Sequence, residues 1–312
     1  MNRFGRGRRE NQRIRTEDAL KHLLDCDESG RRATVESLAG AMGLTRGRAA
    51  ALLGVLRAEG LALAEGDGHR LTADGRRDAL QVVRKHRLYE TWLARETTVP
   101  PERWHAEAQK AEHHLDTSAV DELARKLGHP RFDPHGDPIP TREGELPRRP
   151  RASLASWPEN APAVIEHLED EPAACFREAE KLGLAPGTRI DEPRHGGYGS
   201  IHCRVEGRHI EVPAAVAVLV HVRAPERDEQ APEDVFRLSE LPVGGAAVVH
   251  ALAPSCTGLE RKRLLDLGLV PDTAIRCEFA SPFGSPRSYD VRGALIALRR
   301  NQAERILVRP AS

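Results

Sequence analysis

Apolar residues recur at helical spacing through the N-terminal part of the chain. A stripe of leucines predicts a first helix over 16–31, with Thr16 as its N-cap. The stretch 34–62 predicts two more helices, the first capped by Thr34 and the second by Thr45, with a glycine at the turn between them. Because the apolar positions of these two helices can pack together, the pattern predicts a helix-turn-helix.

The period of the pattern then shortens. Residues 61–75 hold two short strand-like runs around a Gly-Asp-Gly turn, which predicts the hairpin wing of a winged helix. A helical period returns over 74–95, 101–116 and 117–128, and a proline-rich segment at 128–140 closes this helical region.

The C-terminal half of the chain repeats itself. LGLAPGTRI (182–190) and LGLVPDTAI (267–275) are identical at six of nine positions and lie 85 residues apart. Each copy precedes several short strand-like segments, so the repeat predicts two small β-barrels. The charged or proline-rich segments 141–152 and 224–235 are the predicted linkers.

The charges of the whole chain cancel, with 47 basic and 47 acidic side chains, so composition alone does not indicate a nucleic-acid partner. Within 1–15, however, six arginines stand against Glu10. Such a segment is either a solubilising tail or an arm that follows phosphates, and we predict that it is disordered.

No targeting or membrane segment is visible in the sequence. The longest apolar run, at 212–220, is far too short to span a bilayer, and the basic N-terminus has no apolar segment of a secretion signal. Five scattered cysteines without a C-x-x-C pair argue against a disulfide framework and a zinc ribbon. We therefore expect a cytoplasmic protein with no membrane partner.

Potential metal ligands cluster in the predicted helices. One face of the helix over 101–116 carries four of them: His105, Gln109, Glu112 and His113. In the preceding helix, His86 and Glu90 lie one turn apart on one face. Imidazole, carboxylate and amide are donors for a divalent transition metal, although a His-x-x-x-Glu pair is also common on solvated helix surfaces.

The second helix of the helix-turn-helix begins with candidate DNA contacts. Thr45, Arg46 and Arg48 lie in its first turn, where a recognition helix presents side chains to phosphates and base edges. A buried helical hairpin without DNA contact is the alternative that the same pattern allows.

Residues 16–140 resemble the diphtheria-toxin-repressor family of metal-dependent transcriptional repressors. The similarity is carried by the strings K-H-R-L-x-E (85–90), H-x-E-A-x-x-x-E-H (105–113) and P-x-G-x-P-I-P (134–140). The repeated domains resemble SH3-like domains of the ferrous-iron-transport protein A type. The resemblance implies an α+β multidomain fold, with an N-terminal winged helix-turn-helix, an all-α dimerisation domain and two C-terminal SH3-like barrels.

The domain boundaries that follow divide the whole chain. They are a basic arm at 1–15, a winged helix-turn-helix at 16–75, a helical metal-binding and dimerisation domain at 76–140, a linker at 141–152, a first SH3-like domain at 153–223, a linker at 224–235 and a second SH3-like domain at 236–310. The family implies a repressor that binds palindromic operators in double-stranded DNA as a homodimer when loaded with Mn²⁺ or Fe²⁺ and controls metal homeostasis genes. It implies no enzymatic activity and no small-molecule substrate.

The resemblance also implies two metal sites. The primary site would consist of Asp18, Gln109, Glu112 and His113, and the ancillary site of His86, Glu90 and His105. Iron-type members carry sulfur at the positions of Asp18 and Gln109, whereas manganese-type members carry carboxylates at Gln109 and Lys21. Oxygen donors suit Mn²⁺, but the Lys21 ammonium argues against a two-metal cluster. Pro172 and Cys175 stand where ligands from the barrel would be expected.

Two alternatives to a metal-dependent repressor remain open at the level of sequence. One is a DNA-binding regulator of the same fold that has lost its metal dependence. The other is a metal-dependent hydrolase. The absence of an H-E-x-x-H motif from the sequence argues against it.

Overall fold

The computed structural model describes residues 3–146, 152–226 and 234–311, and parts of both predicted linkers lie outside these ranges. The chain divides into two units. The N-terminal unit comprises Met1–Trp92, His105–Asp133 and Pro138–Arg148, and the C-terminal unit comprises Leu93–Trp104, Pro134–Asp137 and Arg149–Ser312.

The first helix, α1, spans Arg3–Glu28 and is longer than the sequence predicts. The basic segment 1–15, predicted as a disordered arm, is instead helical where it is described, and Thr16 lies inside the helix and not at its N-cap. Arginine has a high helix propensity, and Arg13 pairs with Glu17 one turn later at 2.9 Å. Polar residues therefore extend this helix beyond its apolar stripe.

The predicted pair of helices, α2 and α3, is confirmed. Helix α2 spans Val35–Ala41 and α3 spans Arg46–Ala58. Thr34 accepts a hydrogen bond from the backbone N–H of Ser37, and Thr45 caps α3 in the same way, so both N-caps are the residues that the sequence predicts. The leucines of these helices pack with those of α1 in one core, which includes Leu20, Leu23, Leu38, Leu52, Leu53 and Leu56.

The predicted hairpin that follows is also confirmed. Strands β1 (Ala62–Glu65) and β2 (Gly68–Leu71) pair antiparallel, with Ala62 opposite Leu71. Gly66 in the turn has a φ of 62°, a conformation that costs glycine little.

The helical region is less regular than the sequence predicts. Helix α4 spans Ala73–Glu96 and α6 spans Thr117–Lys126, close to their predicted bounds. Between them, the predicted helix over 101–116 is broken into a 3₁₀ turn at Pro101–Arg103, helix α5 at Trp104–Ala111 and a 3₁₀ turn at Glu112–His114. A 3₁₀ turn has about three residues per turn instead of 3.6, so the last turn does not continue the helical face of α5.

The C-terminal unit contains two six-stranded antiparallel sheets. The first has the strand order β3-β8-β4-β5-β6-β7 and the second the order β9-β14-β10-β11-β12-β13, which is the same arrangement. The strands of the first sheet are β3 (Ala152–Ser153), β4 (Ala163–Leu168), β5 (Arg189–His195), β6 (Ile201–Val205), β7 (Arg208–Val212) and β8 (Val220–Arg223). Those of the second are β9 (Phe236–Arg237), β10 (Ala246–Leu252), β11 (Ala274–Ala280), β12 (Arg287–Val291), β13 (Ala294–Leu298) and β14 (Ile306–Pro310).

Each sheet has its own buried core and two helices. These helices are α7 (Ala173–Leu182) and α8 (Ala214–Ala217) in the first domain, and α9 (Gly258–Asp266) and α10 (Arg300–Ala303) in the second. The repeated L-G-L string follows the longer helix in each copy. Gly183 and Gly268 adopt positive φ angles of 81° and 86°, and the leucines after them, Leu184 and Leu269, are buried. The repeat therefore marks the same helix-ending turn twice.

The predicted α+β fold is confirmed, since a winged helix and further helices precede two small β-sheet domains. Within the described part of the chain, no helix combines the length and the apolar character needed to cross a membrane.

Candidate metal centre

A fully buried carboxylate, that of Glu112, lies at the centre of the site. Both of its oxygens accept hydrogen bonds of 2.9 Å from the Lys21 ammonium, and Oε2 lies 2.5 Å from Nδ1 of His86. Burial raises the pKa of Glu112, but the hydrogen bonds and charges of His86 and Lys21 outweigh it and hold that pKa below its ordinary value. A buried charge requires such partners, and these come from α1 and α4.

The first cluster of potential ligands joins α1 to the turn after α5. Nε2 of His113 lies 3.3 Å from Oδ1 of Asp18 and 3.7 Å from Oε1 of Glu112. Burial raises the pKa of Asp18, and the neighbouring His113 offsets part of that rise. Three ligand atoms, one from each residue, lie within 4.8 Å of one another.

The structure adds Glu17, a residue that the sequence did not single out. Its carboxylate lies 2.6 Å from Nδ1 of His113, the nitrogen opposite to the one that faces Asp18. A proton held on Nδ1 by Glu17 leaves the lone pair of Nε2 directed at the cluster, as in the carboxylate–histidine pairs of metal sites. Arg13 donates a hydrogen bond to the backbone oxygen of His113 at 2.6 Å, so the extension of α1 also contacts this turn. In the sequence, Glu17 has only the features of an acidic residue near the start of a helix. Its contact with His113 becomes visible only in the folded structure.

The second cluster consists of His86, Glu90 and His105. Oε1 of Glu90 lies 3.0 Å from Nε2 of His86 and 3.5 Å from Nδ1 of His105. His86 and Glu90 are buried, whereas the His105 side chain is 46% exposed, so this cluster opens to solvent on one side. Because His86 contacts both Glu90 and Glu112, it connects the two clusters.

Gln109 does not join these residues in the way that the sequence predicts. Its side chain is exposed on α5, while Glu112 and His113 are buried in the following 3₁₀ turn. The sequence placed these three residues on one face of an unbroken helix, whereas the helical geometry changes at Ala111, and the assignment of Gln109 as a ligand stays a prediction. Lys21, at the position where manganese-type members of the resembled family carry a carboxylate, contacts Glu112 instead.

The donor sets of both clusters fit a divalent transition metal. Each offers imidazole nitrogen and carboxylate oxygen, with no sulfur, which suits Mn²⁺, Fe²⁺ or Zn²⁺ better than a soft ion. In the first cluster one histidine is already oriented by a carboxylate, as metal sites require.

The candidate DNA contacts lie at the exposed start of α3. Thr45, Arg46 and Arg48 are all exposed, and Arg46 forms an ion pair with Glu36 on α2, at 2.9 Å. Both arginine side chains are long enough to reach a phosphate placed against the end of the helix. The arrangement is that of a helix-turn-helix with its second helix available to a groove.

Comparison with protein families matches two kinds of domain. The metal-binding and dimerisation domain of iron-dependent repressors matches residues 72–141. The FeoA domain matches twice, at 152–224 and 236–310.

The matches to individual relatives span most of the length of each relative. The iron-dependent repressor IdeR of Mycobacterium bovis is 32% identical over 198 residues, which are 59% of this chain and 86% of that protein. A solved manganese-dependent transcriptional repressor in complex with manganese is 28% identical, with a TM-score of 0.62, and covers 67% of this chain and 100% of its own. IdeR of T. acidophilum is 27% identical, with a TM-score of 0.54, over 67% of this chain and 97% of its own.

Proposed function

Because this chain belongs to the family of iron-dependent repressors, we propose that it is a metal-dependent transcriptional repressor, in which Mn²⁺ or Fe²⁺ favours the binding of operator DNA. The observation that carries the proposal is the meeting of Asp18, from α1, with Glu112 and His113, from the turn after α5. The relatives are transcriptional repressors and not enzymes, which removes the hydrolase from the alternatives.

The residues that would hold the ions are those of the two clusters. Asp18, Glu112 and His113 would form one site, and His86, Glu90 and His105 a second. When bound, an ion supplies the positive charge that allows carboxylates from different elements to approach each other. Gln109, exposed on α5, would be the fourth ligand of the first site.

The chain's own contacts explain how the metal sites would couple to DNA binding. Helix α1 packs in the same core as α2 and α3, so the position of Asp18 affects the helix that carries Arg46 and Arg48. A ligand shifts a conformational equilibrium only by its difference in affinity for the two states. Coupling free energies of about 1–3 kcal/mol are typical and correspond to a change in DNA affinity of roughly 5- to 150-fold.

We further propose that the chain binds a palindromic operator as a homodimer. The winged helix presents one recognition helix per chain, and two such helices related by a twofold axis match half-sites about one helical turn apart, or a multiple of it. Thr45, Arg46 and Arg48 would contact phosphates and base edges.

The position of Lys21 favours a second candidate function, a regulator that binds DNA without metal. Its ammonium already links α1 to both oxygens of Glu112 at 2.9 Å. If that link alone fixes α1, the metal adds nothing to DNA affinity. If that link alone does not fix α1, Lys21→Met removes a positive charge from the metal site. Metal should then increase the DNA affinity of the variant by a larger factor than that of the wild type.

Operator binding with and without metal distinguishes the two functions. The manganese-loaded protein is first used to enrich a DNA duplex from a random pool. Binding of the protein to this duplex is then measured by fluorescence anisotropy in the presence of Mn²⁺, of Fe²⁺ under anaerobic conditions, or of chelator. We expect Asp18→Ala and Glu112→Gln to abolish the metal response. Asp25→Ala, on the same helix and exposed, should keep it.

The metal-independent candidate predicts a different outcome of the same titration. In that case the wild type, the Asp18→Ala variant and the Asp25→Ala variant bind the duplex equally well with manganese and with chelator.

A further inference from the structure

Two histidines face each other in the first β-sheet domain, and neither belongs to the clusters described above. Strands β4 and β8 pair antiparallel, and His167 is the direct partner of His221. Side chains of directly opposite residues lie on the same face of a sheet. The register shifts between Ile165 and His167, and such bulges redirect side chains at functional sites.

The distances among three side chains are those of a metal site. Nδ1 of His167 lies 3.1 Å from Nδ1 of His221. Oε1 of Glu169 lies 3.8 Å from the first nitrogen and 3.9 Å from the second. A triangle with these three sides has its centre about 2.1 Å from each corner, which is the length of a zinc–nitrogen or zinc–oxygen bond.

Asp137 sets the tautomer of His167. Its Oδ2 lies 3.3 Å from Nε2 of His167, so that nitrogen holds its proton toward the carboxylate. The lone pair of Nδ1 then points toward His221 and Glu169, and metal-ligating histidines are commonly held in this way by a carboxylate at the other ring nitrogen. The ring of His167 is 2% exposed, and a nearly fully buried imidazole held in this way has little freedom to turn.

The second β-sheet domain shows that the fold itself does not require these histidines. When the register shifts of the two sheets are matched, the partners equivalent to His167 and His221 are Ala251 and Leu307, which also pair directly. Ala253 stands at the position equivalent to Glu169, two residues after the first member of the pair. An aliphatic pair therefore satisfies the same place in the same architecture, and the polar set of the first domain calls for a different explanation.

We infer that the first β-sheet domain binds a divalent transition metal through His167, His221 and Glu169, with Asp137 as the positioning residue. Two imidazoles and one carboxylate form the ligand set of zinc sites that keep a fourth position open. The Glu169 side chain is 42% exposed and that of His221 18%, so the open position faces solvent. Zn²⁺ and the related ions Fe²⁺ and Co²⁺ suit this donor set, whereas thiophilic ions do not.

Zinc stoichiometry of the full chain tests the inference. The protein is stripped with chelator and dialysed against Zn²⁺, and bound zinc is counted by mass spectrometry. The double variant His167→Ala/His221→Leu, which carries the side chains of the second domain, should bind one zinc ion fewer than the wild type. His209→Ala, which removes an exposed histidine of the same sheet, should bind as many as the wild type.

Two further variants keep the test independent of folding. Glu169→Gln changes a side chain at the surface and should weaken zinc binding at this site at least tenfold. Asp137→Asn should lower the affinity roughly 10- to 100-fold and leave the zinc count at saturation unchanged. The Co²⁺-loaded wild type should show the absorption bands of a four-coordinate ion. These bands should be weaker in the Co²⁺-loaded double variant.

Equal zinc counts and equal Co²⁺ spectra in the wild type and the double variant would overturn the inference and leave a simple N–H···N hydrogen bond between the two rings. This result is independent of operator binding, since it concerns neither Asp18 nor Glu112.

Discussion

The imidazoles of His113 and His167 each have a carboxylate at one ring nitrogen and candidate metal ligands at the other. The carboxylates are Glu17 and Asp137, at 2.6 and 3.3 Å. An imidazole has two nearly equivalent nitrogens, and a carboxylate at one of them fixes which nitrogen carries the proton. The metal affinity of each cluster therefore depends on a residue that need not contact the ion.

Glu17→Gln tests this dependence at the first cluster. Glutamine retains the shape of the side chain but loses its charge, so we expect an affinity for Mn²⁺ lower by about 10- to 100-fold, as when other hydrogen-bond partners of metal-ligating histidines are changed. Calorimetric titration of the stripped protein measures it. The control is Asp25→Asn on the exposed side of α1, and equal affinities of the two variants would contradict the role of Glu17.

The carboxyl group of Glu180, in the C-terminal unit, gives the stability of the fold a pH dependence of a definite sign. Burial raises the pKa of Glu180 to about 7, with Glu102 adding to the rise and Arg305 opposing it. In the unfolded chain the pKa of this group is near its ordinary value of 4.5. Between these two values the unfolded chain holds fewer protons than the folded one, so the contribution of Glu180 to stability falls as the pH rises.

Glu180→Gln should therefore raise the melting temperature at pH 8 and change it little near pH 5, since the glutamine carries no charge at either pH. Thermal unfolding followed by circular dichroism measures the difference from the wild type at both values. Glu178→Gln, on the exposed side of the same helix, is the matched control. A destabilised Glu180→Gln variant at pH 8 would refute the assigned sign.

At the scale of elements, the start of α3 determines how the chain meets DNA. Arg48 is exposed in the first turn, and Arg57 is exposed in the last turn of the same helix. If Arg48 contacts a phosphate, Arg48→Ala weakens binding to all duplexes alike and lowers the slope of log affinity against log salt by about one. Arg57→Ala should leave that slope unchanged. Anisotropy titrations over a series of salt concentrations measure both, and identical slopes would remove Arg48 from the interface.

Elements that depend on local chemistry were predictable from the sequence, and those that depend on distant contacts were not. Both N-caps of the helix-turn-helix, Thr34 and Thr45, follow from residue type and the apolar pattern within one turn. The 3₁₀ turn at Glu112–His114 does not, because its residues continue the helical pattern. It forms where Glu112 meets Lys21, a residue 91 positions away.

The same limit applies to the candidate sites. Asp18, Glu112 and His113 meet as the family resemblance implies, as do His86, Glu90 and His105. Their assignment as metal ligands stays a prediction. The pairing of His167 with His221 depends on which strands are neighbours and on a register shift, and neither is visible in the spacing of two histidines 54 residues apart.

At the scale of the molecule, one buried ion pair joins the two domains of the C-terminal unit. Glu206, in the turn between β6 and β7, accepts a hydrogen bond from Arg237 of β9, and their side chains are 5% and 8% exposed. Burial raises the pKa of Glu206, and the charge of Arg237 opposes that rise. Such a pair is costly to break from one side, because the remaining charge is left in an apolar place.

Arg237→Met should therefore destabilise the protein by about 3–5 kcal/mol. The double variant Glu206→Leu/Arg237→Met removes both charges and should recover most of that loss. Urea unfolding followed by tryptophan fluorescence and by circular dichroism measures both. A single variant as stable as the wild type would show that the two domains do not depend on this pair.

The equivalence of the His167–His221 and Ala251–Leu307 pairs bears on how such a chain can evolve and be engineered. After a tandem duplication, one copy can keep its original role while the other gains or loses metal ligands. The fold tolerates such changes because it does not depend on these side chains. The reverse graft follows directly. Histidines at positions 251 and 307, with an acid at 253, would place the same polar triad in the second domain and give that domain a site for an ion.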